Sequence, residues 1–421
     1  MLQPERYSLD EIRAIQRACC HVFLNDKALH SVVVSENNRR RFSYPFLERL
    51  TFEEVRRAYR ANVLTYHPDR HQDKQPEEIE LFVRHLEGVN QSYEYLCAFF
   101  GEKKAGSIQE YTGRVRIIAV GGAKGGIGKS ILAANLGMML SSRGFRTVMV
   151  DLDLGGSDLH IYLGHRRIPK TTLNDYLNRK VTHLSDVVIG QEQGPMLIAG
   201  DNGELGAANI PFQRKIRLIE GIRKMNADYV ILDLGGGTDF NTLDFFLAAD
   251  LQIVLTTLDQ PSYLEAYAFI KTAMQRKLTR LFSADSTFPA KRDTALKDIV
   301  CESIHVPQED LPRTIQDLLE RVAIEHPLSL PLIADEVLNF SPCLVINKCF
   351  DEQAAFRMAC TLRSVARRRL SIDINHIGSI SRHPVIEQST SYINHPLVTR
   401  QSSAKFAGEI ESIIETLSLA G

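Results

Sequence analysis

Apolar residues recur at helical spacing up to about residue 100, and beyond about residue 114 compact β-branched runs alternate with helical stretches. In the first part Ser8 and Glu11 make a capping-box pair, and Leu9, Ile12, Ile15, Cys19 and Val22 fall on one helix face. A second pair, Thr51 with Glu54, opens a helix with the stripe Val55, Tyr59, Val63 and Tyr66. It ends at His67, because the residue before Pro68 avoids helical geometry. A third helix is expected from about Glu77 to Phe100, with Ile79, Phe82, Leu86, Val89, Tyr93 and Leu96 inward.

The polar, glycine-bearing segment from Gly101 to Gly113 reads as a linker, which gives a small all-α domain over 1–105 and a larger domain over 106–421. Buried strands are expected from Arg114, Thr147, Met196, Tyr229, Leu251, Cys343 and His376. Helical patterns separate most of them, so the fold class is α/β with a doubly wound, mostly parallel sheet. The stretch 282–340 is less regular and mostly helical, and reads as an insertion.

The length of 421 residues suits two domains. With 50 Lys+Arg against 51 Asp+Glu, the chain lacks the basic excess expected of a nucleic-acid binder. The basic run RSVARRRL from Arg363 sits inside a helical pattern and reads as a solvated face rather than a DNA contact. Seven cysteines without CxxC or zinc spacing, a charged N-terminus unlike a signal peptide and no long apolar stretch give the expectation of a reduced, cytoplasmic chain.

The strongest chemical signal is GGAKGGIGKS, Gly121 to Ser130, between a strand and a helix. Glycines let backbone N–H groups close around phosphate, and the helix N-terminus adds positive potential. The cradle expected for the phosphates comprises Gly122, Gly125, Gly126, Ile127, Gly128, Lys129, Ser130 and Ile131. Lys129 would reach the β- and γ-phosphates, and the Ser130 hydroxyl would bind Mg²⁺. Ala123 stands where the GxxxxGK[ST] pattern has its first glycine.

With Lys124 as a second lysine, this loop resembles the deviant Walker A motif of the MinD/ParA family of P-loop ATPases, which includes the FlhG, FleN and MinD type. The resemblance implies that Lys124 crosses a nucleotide-dependent homodimer interface to the partner's phosphates. DLDLGGSDLHIYLG from Asp151 resembles the family's first switch, which implies that Asp153 orients the attacking water and Asp151 supports the Mg²⁺ shell. YVILDLGGGTD supplies Asp233 as the Walker B carboxylate for Mg²⁺, and Gly235, Gly236 and Gly237 as a flexible second switch whose backbone would sense the γ-phosphate. VLTTLDQPSYLEAYAFIK is similar to the corresponding stretch of the flagellar regulators, and Asn347 of the INK run sits where the family reads the adenine edge. The C-terminal IESIIETLSLAG has no basic amphipathic extension of the kind that takes MinD to membranes.

In the helical part, AYRANVLTYHPDRH from Ala58 resembles the J domain of DnaJ-type co-chaperones, and NQSYEYL from Asn90 matches the end of that domain's last long helix. The resemblance implies that His67, Pro68 and Asp69 contact a DnaK-type chaperone, aided by Arg56, Arg57 and Arg60. The expected function is a dimerising, slowly hydrolysing ATP switch that controls positioning or assembly of a protein partner, with the J-like domain recruiting a chaperone or cargo. The alternatives are a J-domain co-chaperone with an ATP-binding adaptor, and a biosynthetic enzyme similar to CobQ or dethiobiotin synthetase.

Overall fold

The apolar runs become strands of one sheet in a computed structural model that describes residues 15, 18, 19, 22, 23, 50–66, 76–101, 115–153, 156–165, 169–190, 194–200, 210–283, 286, 288, 290–304, 314–383 and 404–417. The strands are β1 (Arg116–Gly121), β2 (Thr147–Leu152), β3 (Val188–Ile189), β4 (Met196–Ile198), β5 (Tyr229–Leu234), β6 (Leu251–Thr257), β7 (Cys343–Cys349) and β8 (Asn375–Ser381). The helices up to β7 are α1 (Phe52–Tyr66), α2 (Pro76–Gly101), α3 (Lys129–Ser142), α4 (Leu159–Tyr162), α5 (Leu173–Leu177), α6 (Phe212–Arg223), α7 (Phe240–Ala248), α8 (Gln260–Arg280), α9 (Thr294–Ile304), α10 (Ile315–Glu325) and α11 (Leu330–Leu338). After β7 come α12 (Glu352–Leu370) and α13 (Ala404–Thr416). Among the described residues, no helix is long and apolar enough to cross a membrane.

The sheet order is β3-β4-β2-β5-β1-β6-β7-β8, parallel throughout except for the β3–β4 pair. This is the doubly wound α/β arrangement. Among the described residues, β3 is the one strand not foreseen: two half-buried residues are too few to show an alternation. β1, β2 and β5 are apolar almost end to end because helices cover both faces of a parallel sheet. The residues after β1 return to the sheet on the far side of β5, whereas β6 pairs with the opposite edge of β1. The carboxyl end of β1 is therefore a topological switch point, where a crevice opens above the sheet.

On one face, Leu132, Leu136 and Leu140 of α3 pack with Ile410, Ile413 and Ile414 of α13 and with the strand residues Ile118, Met149, Ile231 and Ile253. The approach of α3 is close: a Cβ on Gly137 would meet Met149 Sδ at 2.3 Å. Phe246 of α7 and Phe269 of α8 meet edge to face at 4.9 Å, and a Cβ on Gly121 would touch both rings. A buried ion cluster ties α6, α7 and α8 together. Asp244 accepts from Lys215 Nζ at 2.6 Å and from both Nε and a terminal nitrogen of Arg276, at 2.8 and 3.0 Å.

Two compact units divide the chain. One contains Met1–Glu110, Lys277–Phe340 and Val365–Asp373, and the other Tyr111–Arg276, Ser341–Ser364 and Ile374–Gly421. In the first unit α1 opens with reciprocal Thr51 and Glu54 hydrogen bonds and pairs with α2, where Tyr59 stacks on Tyr93 at 3.8 Å. Ile15, Cys19 and Val22 are buried; Leu9 and Ile12 lie outside the described residues. Asn62 is buried in the same unit with its polar atoms occupied. It donates to the carbonyls of Val22 and Ala58 at 2.8 and 2.9 Å, and its Oδ1 meets His85 Nε2 at 3.1 Å.

Candidate functional site

The loop from Gly121 to Ser130 turns directly out of β1 and into α3. Gly126 and Gly128 take left-handed φ values of 72° and 101°, which the tight reversal requires. A Cβ on Gly128 would lie 2.5 Å from Asn347 Nδ2, so a side chain is excluded twice. By contrast, Gly125 and Gly126 have open space where a Cβ would point, leaving their backbone accessible.

Above this loop is a cavity of about 490 Å³, within the range that holds small ligands. It brings together Gly125, Gly126, Gly128, Lys129, Ser130, Ile131, Asp153 and Asn347 of the expected residues. Gly122, Lys124, Ile127, Asp151, Asp233 and Gly237 do not line it. Gly122 is constrained by packing, since a Cβ there would meet the Leu255 carbonyl at 2.8 Å, and Ile127 belongs to the core. Gly236 lines the cavity, and a Cβ on it would meet Gly125 N at 3.1 Å, so the loop after β5 abuts the phosphate loop.

The carboxylates sit at neighbouring strand ends. Register pairs Asp151 with Asp233 and Val120 with Asp233, so β2, β5 and β1 end at one level. Asp151 is fully buried, and its two oxygens accept from the backbone N–H groups of Asp153 and Leu159, both at 3.1 Å. Burial and the nearby Asp233 push its carboxyl well up, while these two N–H groups oppose the rise. Asp151 thus shapes the loop that carries Asp153.

Asp233 differs. Both its oxygens are buried, and neither makes a hydrogen bond of full geometry. Burial raises its carboxyl to about 7, against the downward pull of the Ser130 hydroxyl and Lys129. A buried carboxylate left unsatisfied is costly unless something else completes it. An orphaned acidic group beside a serine hydroxyl and a glycine cradle fits a hard divalent cation such as Mg²⁺ bound with phosphate.

Lys129 is mostly buried and donates to the Lys124 carbonyl at 2.8 Å, which folds it back over the loop. Burial lowers its pKa; Asp233 and Asp153 counter that and favour the charged form. Lys124 turns away from the cradle to Asp259 Oδ1 at 3.2 Å and Ser262 Oγ at 3.0 Å. Hydrogen bonds from Thr257 and Ser262 hold the Asp259 carboxyl well below the usual range.

Asn347 Nδ2 donates to the Ile127 carbonyl at 2.7 Å, and its Oδ1 accepts from Lys348 N at 2.8 Å. Lys348 has φ 55°, a strained value for a lysine, and its Nζ donates to the Gly126 carbonyl at 3.1 Å. Together they clamp the phosphate loop from β7. The sequence reading missed Lys348 although it is part of the INK run. It also missed Asp158, Tyr162, Ser381, His383 and Phe406, which line the cavity from the first switch, the end of β8 and α13. Residues at one cavity from positions so far apart leave no local spacing signal.

His67, Pro68 and Asp69 lie outside the described residues. The basic run from Arg363 lies on α12, where Arg367 and Arg368 are exposed and Arg367 pairs with Asp373 at 2.7 Å.

With this geometry in hand, the sequence matches the family described as CobQ/CobB/MinD/ParA nucleotide binding domain over residues 118–395. It is 29% identical over 181 residues to the flagellum site-determining protein YlxH of Helicobacter pylori, covering 42% of this chain and 59% of that protein. It is 31% identical over 160 residues to the antiactivator FleN of Pseudomonas aeruginosa, covering 37% of this chain and 56% of that protein. The chain thus spans somewhat more than half the length of these relatives. A structure of the septum site-determining protein MinD complexed with Mg-ADP from Pyrococcus horikoshii OT3 aligns at 17% identity and a TM-score of 0.47, covering 73% of this chain and 98% of that one.

Proposed function

Because this chain belongs to the CobQ/CobB/MinD/ParA nucleotide-binding domain family, we propose that it is an ATP-dependent molecular switch that dimerises with nucleotide bound and hydrolyses it slowly. The observation that carries this reading is Asp233, a buried carboxylate with no full hydrogen bond, beside Lys129 and Ser130 at the strand end next to the glycine-rich loop.

The backbone N–H groups of the loop and the Lys129 ammonium hold the phosphates and neutralise their charge. The Ser130 hydroxyl and Asp233 would hold Mg²⁺, with Asp151 supporting from behind through the backbone it orders. The ion, when bound, screens the charge that builds on the phosphate oxygens. Asp153 lines the cavity and is free to orient a water on the γ-phosphate side. Gly236 and Gly237 follow Asp233 directly, so their backbone can register whether a γ-phosphate is present. Lys124 acts on the partner's nucleotide after leaving Asp259, and Asn347 lies beside the base.

Relatives named as a flagellum site-determining protein and an antiactivator favour control of a protein partner over synthesis of a small molecule. In this reading the region 1–105 is a J-like module that recruits a chaperone or a protein cargo through His67, Pro68 and Asp69, and 106–421 is the ATPase. The test is phosphate release from ATP by the wild type and by Asp153→Ala. Turnover in the first, with ATP binding but no turnover in the second, supports the reading; equal turnover removes the role of Asp153.

A further inference from the structure

β7 and β8 stand two and three strands from β1, so at about 4.8 Å per strand their ends lie about 10–14 Å from the phosphate loop. That suits the base of a nucleotide whose phosphates sit on the loop. There Ile380 and Phe406 offer apolar surface, and His383 is a polar group on the same wall.

His383 is held from two sides. Its Nε2 lies 2.9 Å from Glu409 Oε2, and its ring meets Phe406 edge to face at 5.5 Å. Glu409 is itself fixed, since the same oxygen accepts from Ser381 N at 3.2 Å. A carboxylate can only accept, so Nε2 carries a proton, and the tautomer this contact selects leaves Nδ1 as the acceptor.

We propose that His383 is a specificity-determining residue whose Nδ1 accepts a hydrogen bond from the exocyclic amine of adenine, with Glu409 as the positioning residue that fixes the tautomer. Guanine presents a carbonyl oxygen at that position, so it would set acceptor against acceptor. This inference rests on the nucleotide-binding reading above.

Calorimetric titration with MgADP and MgGDP tests it without hydrolysis. The wild type is expected to prefer ADP. In His383→Ala the ADP-to-GDP affinity ratio should fall about tenfold, the worth of one hydrogen bond. His383→Asn, which returns an acceptor near the Nδ1 position, should restore most of the preference. Glu409→Gln, which admits either tautomer, should lower the ratio while ADP still binds. A wild-type ratio retained in His383→Ala overturns the proposal while leaving nucleotide binding intact. A wild type that binds neither nucleotide removes the nucleotide reading and this inference with it.

Discussion

Lys124 Nζ lies 3.2 Å from Asp259 Oδ1, so the second lysine of the phosphate loop is held by the turn after β6 of its own subunit. Thr257 and Ser262 hold that carboxylate in place, and Ser262 also accepts from Lys124. In the proposed switch this contact opens before Lys124 reaches a partner's nucleotide. Because the pair is partly exposed, its net worth is about 0.2–1 kcal/mol.

Releasing Lys124 should therefore favour the dimer modestly. Asp259→Asn is expected to tighten ATP-dependent dimerisation by roughly two- to fivefold. Sedimentation velocity across a concentration series measures this; a weakened dimer would show that Asp259 contributes to the dimer instead of competing with it.

Lys129 carries charge at the phosphate end. Lys129→Ala should weaken MgADP binding by about 10- to 100-fold, as expected for lost hydrogen bonds to a charged group. Calorimetry reads this directly, and an affinity within twofold of wild type would place the phosphates elsewhere.

Asp233 gives the apo protein a pH signature. Its folded pKa is raised from 3.8 to about 7, so the folded state binds the proton more tightly than the unfolded chain. The stabilisation is present in full below the unfolded value and is lost as pH rises through about 7. Without nucleotide or Mg²⁺, the thermal midpoint should decline between about pH 4 and 7 more steeply in wild type than in Asp233→Asn. Parallel midpoint curves would refute the buried, unpaired state of this group.

Asp244 should matter for stability and not for nucleotide selectivity. Its removal leaves Lys215 buried without its partner, so Asp244→Ala is expected to cost about 3–5 kcal/mol in urea unfolding. A loss below about 1 kcal/mol would mean that water reaches the cluster.

Much of the sheet and the phosphate loop was legible because their signals are local. Seven strands appear as apolar runs, and GGAKGGIGKS holds its own geometry in ten consecutive residues. The resemblance of the first switch implied a cation-supporting Asp151, yet the two backbone N–H groups on its oxygens depend on how the next loop folds. Likewise, the clamp of Asn347 and Lys348 on the carbonyls of Ile127 and Gly126 joins segments about 220 residues apart. The His383, Glu409 and Phe406 wall exists only once α13 packs against β8. No spacing rule reaches across such distances.

The central claim is a nucleotide-gated dimer that depends on Lys124, and light scattering of the purified full chain tests it. With Asp153→Ala to prevent turnover, saturating MgATP is expected to double the mass from about 47 kDa, while MgADP leaves the monomer. Adding Lys124→Ala should return the MgATP sample to monomer. A double variant that still binds ATP and dimerises like Asp153→Ala alone would contradict the claim.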